Sequence, residues 1–167
     1  MQATVLQLLA AVSAAKDKEA LSALFKQSAA YVNTIPLTTA GLVIKAGAST
    51  LTKTGATAFY ALVNGRLVTI AGATDMPALT GLVITANSFN VACFFVDSAG
   101  VVTARFGTEG TALGRVKFPD FPVDKALIGF LIITHSATFT GGTTALDTAT
   151  TVYVSPLGAV DPSFLFA

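Results

Sequence analysis

Ala58-Phe59-Tyr60-Ala61-Leu62-Val63-Asn64-Gly65-Arg66-Leu67-Val68-Thr69-Ile70-Ala71 decides the fold class. Two short apolar runs flank Asn64-Gly65. A two-residue hairpin loop of type I′ needs positive φ at both central residues, and Asn and Gly tolerate this best. The stretch therefore predicts a β-hairpin. A second hairpin is predicted around Phe94-Phe95-Val96-Asp97-Ser98-Ala99-Gly100-Val101-Val102, with a longer loop.

Outward from the first hairpin, short apolar runs recur at residues 41–46, 58–63, 67–71, 82–85, 89–96, 101–106, 127–134 and 150–154, separated by turn residues. Such a density of short strands predicts a mainly β domain, an antiparallel β-sandwich or a jelly-roll-like one. In residues 89–96, Phe89, Val91, Cys93 and Phe95 form one face and Asn90, Ala92, Phe94 and Val96 the other. Both faces are mostly apolar, and residues 127–133 share that character. An antiparallel sheet with one wet face should alternate. These strands are therefore expected under a helix, inside a barrel or against a neighbouring subunit.

Residues 3–32 differ: they contain no Gly or Pro and are rich in Ala, Leu, Gln, Lys and Glu, which are good helix formers. Ile35-Pro36 closes this zone. The expected organisation is an N-terminal α-helical arm over residues 1–35 and a β domain over residues 36–167. Lys16-Asp17-Lys18-Glu19 is either a solvated turn of one helix or a break, with Asp17 capping a second helix. A single 28-residue helix would be about 42 Å long, against a radius of gyration near ~15 Å for the domain. It would project or pack on other chains; folding back over a sheet is the alternative. Residues 4–15 are apolar almost all round, a pattern of burial on every side.

The chain has 167 residues, of which 53% are hydrophobic and only 11% charged, with ten Lys and Arg against nine Asp and Glu. Soluble domains carry about 25% charged residues. The composition is the reverse of a disordered chain. A net charge of +1 without a basic cluster argues against a nucleic-acid groove. One Cys permits no internal disulfide. No apolar run is long enough to read as a membrane span, and no basic start of a signal peptide precedes the first apolar residues. A weakly charged surface protects poorly against self-association, so the expectation is an assembly subunit.

Catalytic patterns are sparse. His135 at the end of a strand-like run reads as a strand-end residue. Zinc sites need further ligands at motif spacing, and Cys93 between Ala92 and Phe94 reads as a small buried hydrophobe. Gly107-Thr108-Glu109-Gly110-Thr111-Ala112-Leu113-Gly114 is followed by Arg115-Val116 where a phosphate loop needs Lys and Ser or Thr, so it reads as a wide loop. Asp147 reads as a turn cap. No enzyme, cofactor or metal site is expected.

Several segments carry a resemblance: Asp75-Met76-Pro77-Ala78-Leu79-Thr80-Gly81, Phe94-Phe95-Val96-Asp97-Ser98-Ala99-Gly100, Phe118-Pro119, Lys125-Ala126-Leu127-Ile128-Gly129-Phe130, Phe139-Thr140-Gly141-Gly142-Thr143-Thr144-Ala145-Leu146-Asp147 and Thr151-Val152-Tyr153-Val154. Over about residues 59–154 the series resembles virion structural proteins of tailed bacteriophages, of the head-decoration, cement and head-fibre type. The resemblance implies a non-enzymatic, β-rich subunit repeated on the particle, often trimeric, without saying which part of the particle. The expected partners are itself and the major capsid protein or other virion proteins, with a position on the outer surface of the capsid as the leading expectation. A tail or fibre component and a carbohydrate-binding sandwich remain alternatives. The expected assembly residues are Leu6, Leu9, Leu21, Leu24 and Phe25 of the arm, and Phe164, Leu165 and Phe166 of the apolar C-terminal tail. That tail is expected to dock on a partner chain or on its own domain.

Overall fold

A computed structural model describes residues 33–158 and the single position Ser22. The expected helical arm over residues 1–35, with its alternative of a break at Lys16-Asp17-Lys18-Glu19, falls outside the described residues up to residue 32 apart from Ser22, as does the C-terminal tail beyond residue 158. Within them the chain is mainly β and every strand pairing is antiparallel.

The Asn-Gly hairpin forms as its chemistry dictates. Strand β4 (Phe59–Val63) pairs with β5 (Arg66–Ile70), with Val63 opposite Arg66. Asn64 at φ 52° and Gly65 at φ 75° occupy the two left-handed positions of the turn. Strand β1 (Ile35–Pro36) pairs with the other side of β4, giving a three-stranded sheet in the order β1-β4-β5. Ile35-Pro36, expected only as the end of a helical zone, is itself a strand. Pro is confined to edge strands, where its missing N–H faces away from the ladder. The Pro36 carbonyl also points outward and accepts the Gly158 N–H at 3.1 Å.

The second hairpin joins β7 (Phe89–Val96) to β8 (Val102–Phe106). Its loop is organised by Asp97, whose Oδ1 accepts the N–H groups of Ala99 and Val101, each at 2.9 Å. Strands β9 (Ala126–Thr134) and β11 (Thr150–Val154) extend it to a four-stranded sheet in the order β11-β9-β7-β8. Two small ribbons complete the fold: β2 (Val43–Ile44) with β3 (Thr52–Lys53), and β6 (Val83–Ile84) with β10 (Phe139–Thr140).

One apolar core joins the two larger sheets. Phe59, Ala61 and Val63 of β4 and Val68 and Ile70 of β5 share it with Ala92, Phe94 and Val96 of β7 and Ala126, Ile128, Leu131 and Ile133 of β9. The arrangement is consistent with a β-sandwich. The parity of β9 changes midway. Phe94 pairs with Gly129 and Phe95 with Leu127, so Ile128 bulges. A bulge moves later side chains to the opposite face, and Phe130 joins Leu127 on the far side. Gly129 is required there: a Cβ would come within 2.6 Å of the Val154 carbonyl oxygen and the Leu42 side chain.

The far side of the four-stranded sheet corrects an expectation. Val91, Cys93, Phe95, Leu127 and Phe130 are buried there with Val116, and Phe118 and Phe121 pack against them. Among the described residues the cover comes from the chain itself, from the largely irregular segment between β8 and β9, which includes a 3-10 turn at Leu113–Arg115. Phe121 meets Phe95 edge-on at 5.2 Å between ring centroids, and Phe118 meets Phe130 at 5.1 Å. These are favoured aromatic geometries.

Candidate functional site

The residues with potential chemistry are each committed to the fold. Cys93 is fully buried, and burial pushes its thiol far above the usual range. It stays a thiol and is a poor nucleophile. His135 follows Thr134, which pairs with Phe89. That places it at least four strand positions from Cys93, about 13 Å at ~3.3 Å per residue. Its Nδ1 lies 3.0 Å from the Ala137 carbonyl oxygen, a local strand-end contact. Asp75 pairs with Lys45 at 2.5 Å. Asp147 caps a turn, as its type predicts, but one distant in sequence: its Oδ2 accepts the Ala48 N–H at 2.7 Å, where Ala48 sits at φ 56°. Glu109 accepts the Thr85 N–H and hydroxyl, each at 2.9 Å. Those bonds, the backbone one first, hold its carboxyl below the ordinary range.

The Gly-rich stretch is a wide loop with a structural task. Gly110 exchanges two backbone hydrogen bonds with Phe89, and Thr108 pairs with Lys117. These bonds lay the loop along β7 and deliver Val116, Phe118 and Phe121 onto the sheet. Among the described residues, no group of three or more His, Cys, Asp or Glu side chains could hold a metal ion.

The distinctive surface is the outer face of β1-β4-β5. Alternation along β4 and β5 buries Phe59, Ala61, Val63, Val68 and Ile70, so Tyr60, Leu62, Leu67 and Thr69 turn outward. Register aligns Ile35, Leu62 and Leu67 in one cross-strand row and Tyr60 with Thr69 in the next. Leu67 is 58% exposed, Leu37 41% and Tyr60 39%. The wet face of an antiparallel sheet should be polar, yet residues 33–44 carry no charge and residues 54–74 only Arg66. The free edge is also weakly guarded. Among the described residues no strand pairs with the outer side of β5, and charges are the usual protection of such edges.

Both ends of the described stretch 33–158 are bonded to this sheet. The Gly65 N–H donates to the Asn33 carbonyl at 2.9 Å and the Asn64 N–H to Thr34 Oγ1 at 3.1 Å, fixing the chain entry at the hairpin tip. The exit is fixed by the Gly158 bond to Pro36 on β1. The expected assembly residues Leu6, Leu9, Leu21, Leu24, Phe25, Phe164, Leu165 and Phe166 all lie outside the described residues. The apolar sheet face was missed in the sequence. Its signal was available: in a hairpin pinned by Asn64-Gly65, Tyr60, Leu62 and Leu67 must share one face.

The chain matches no family model, no curated protein and no solved structure.

Proposed function

We propose that this protein is a structural subunit of a virion, a capsid decoration or cement protein. In this reading it sits on the outer surface of the shell, associates with copies of itself as a trimer, and reinforces capsomer junctions through contacts with the major capsid protein. The observation that carries the reading is the outer face of β1-β4-β5, which exposes Leu37, Tyr60 and Leu67 beside a single charge. A surface of this kind is covered in its working state. The charge content of 11% over the whole chain supports the same conclusion, as does the resemblance to tailed-phage head proteins over residues 59–154. Weak individual contacts suffice in such an assembly, because many act together on one particle. A sandwich with two facing sheets suits the role, presenting one sheet outward while the other keeps the core.

Co-sedimentation with undecorated tailed-phage shells tests the proposal. The protein should pellet with shells, saturate at a fixed ratio to capsomers and raise their resistance to heat. Binding to isolated tails or fibres with none to shells would move the protein to the tail-component alternative. Binding to neither particle would overturn the virion reading.

A further inference from the structure

The tip of the β4–β5 hairpin holds a reactive pair of residues. We propose that Asn64-Gly65 is a site of spontaneous deamidation by water, and that the folded tip keeps it closed until the hairpin end opens. The inference does not depend on the virion reading.

The reaction needs only the chain and water. The Gly65 nitrogen loses its proton to hydroxide and attacks Asn64 Cγ. The new N–Cγ bond forms, the Cγ–NH2 bond breaks, and the amide leaves as ammonia with a proton taken from water. Water then opens the five-membered imide at either carbonyl, giving aspartate or isoaspartate. A side chain on the residue after Asn obstructs the attack, and Gly has none. Asn33, Asn87 and Asn90 are followed by Thr34, Ser88 and Val91, and Asn64 alone by Gly. Asn64 and Gly65 are both exposed, so water and hydroxide reach them.

Three features of the folded tip oppose this chemistry. Asn64 at φ 52° and Gly65 at φ 75° make a type I′ turn, which sets ψ of its first central residue at about +30°. There the Gly65 nitrogen lies across the Cα–C bond from the Asn64 Cβ, whereas the imide ring needs the two side by side. The proton of the attacking nitrogen is held by the Asn33 carbonyl at 2.9 Å. The Asn64 N–H is held by Thr34 Oγ1 at 3.1 Å, which restrains the peptide on the other side. Conversion therefore passes through an opened tip, and its rate follows the population of that state. The two products then differ. Asp-Gly suits the same turn. Isoaspartate adds a methylene to the backbone, and loop length sets the register of a hairpin, so the pairing of Val63 with Arg66 is lost.

Peptide mapping of the full-length chain after incubation at mildly alkaline pH tests the proposal. Trypsin cuts after Lys53 and Arg66 and releases residues 54–66 as one peptide, in which conversion of amide to acid is read by mass. In the chain unfolded by guanidinium chloride, Asn64 should convert faster than Asn33, Asn87 and Asn90. In the folded chain it should convert at least about tenfold more slowly than in the unfolded one, as for a site reached only by local opening. Thr34→Val removes the acceptor of the Asn64 N–H, so it should speed conversion severalfold in the folded protein and leave the unfolded rate unchanged. The purified isoaspartate form should melt below the parent, and Asn64→Asp close to it. Equal rates in the folded and unfolded chains would overturn the proposal, as would an unfolded chain in which Asn64 is no faster than the other three. So would folded-state conversion indifferent to Thr34→Val, or an isoaspartate form that melts with the parent.

Discussion

Individual residues hold the loops of this fold, and their effects are separable. Asn64 and Gly65 are both left-handed, so Asn64→Val with Gly65→Val forces two Cβ-branched residues into a region costing roughly 1–2 kcal/mol each. The double variant should melt at a clearly lower temperature; an unchanged melting point would contradict the type I′ turn. Thr52 has the opposite problem. Its hydroxyl is buried without a hydrogen-bond partner among the described residues, a state that costs about 1–3 kcal/mol. Thr52→Val keeps the shape and removes the polar atom, so it should raise stability in urea unfolding by about 1 kcal/mol. Glu109 predicts a pH dependence. Its folded pKa lies below the ordinary 4.5 because it accepts two bonds from Thr85. The contribution is therefore present above the unfolded value and is lost as pH falls through the folded one. Acid unfolding followed below pH 4.5 should be less steep in Glu109→Gln than in the parent.

At the scale of elements, the legibility of the sequence follows from how local each signal is. Every strand longer than two residues was readable, because each carries its own apolar run between turn residues. The two-residue strands Ile35–Pro36, Thr52–Lys53 and Phe139–Thr140 were not. A pairing that short has no periodicity and exists only through its partner. The doubly apolar character of β7 was readable too, but not its cover. Phe118 and Phe121 lie in a Pro-containing stretch with no strand or helix pattern, and only the long-range pairing of Gly110 with Phe89 brings that stretch onto the sheet. The cover is part of the core in energetic terms. Phe95 is fully buried under Phe121, so Phe95→Ala should lose about 3–5 kcal/mol in denaturant unfolding. Phe121→Ala, half-buried at the outer end of the cluster, should lose less. Equal losses would mean that the two rings share burial more evenly than the structure shows.

For the whole molecule, the controlling quantity is the small number of ionic groups available to keep the exterior wet. Several of these few groups also hold loops together while remaining at the surface. Lys45 pairs with Asp75, Asp97 and Asp147 cap turns, and Glu109 serves Thr85. Association driven by such a surface is apolar and should survive salt, since screening shortens the reach of charges and leaves burial untouched. Raising the salt from 0.1 M to about 1 M, which cuts the Debye length from about 10 Å to about 3 Å, should leave the assembled state intact, and dissociation at high salt would assign the contacts to charge pairs. The most direct test is the mass of the purified full-length protein in solution, measured by sedimentation across a range of concentrations. The account predicts a defined homo-oligomer, a trimer on the reading proposed above, that persists on dilution. A single copy that stays soluble and monomeric at millimolar concentration would contradict it.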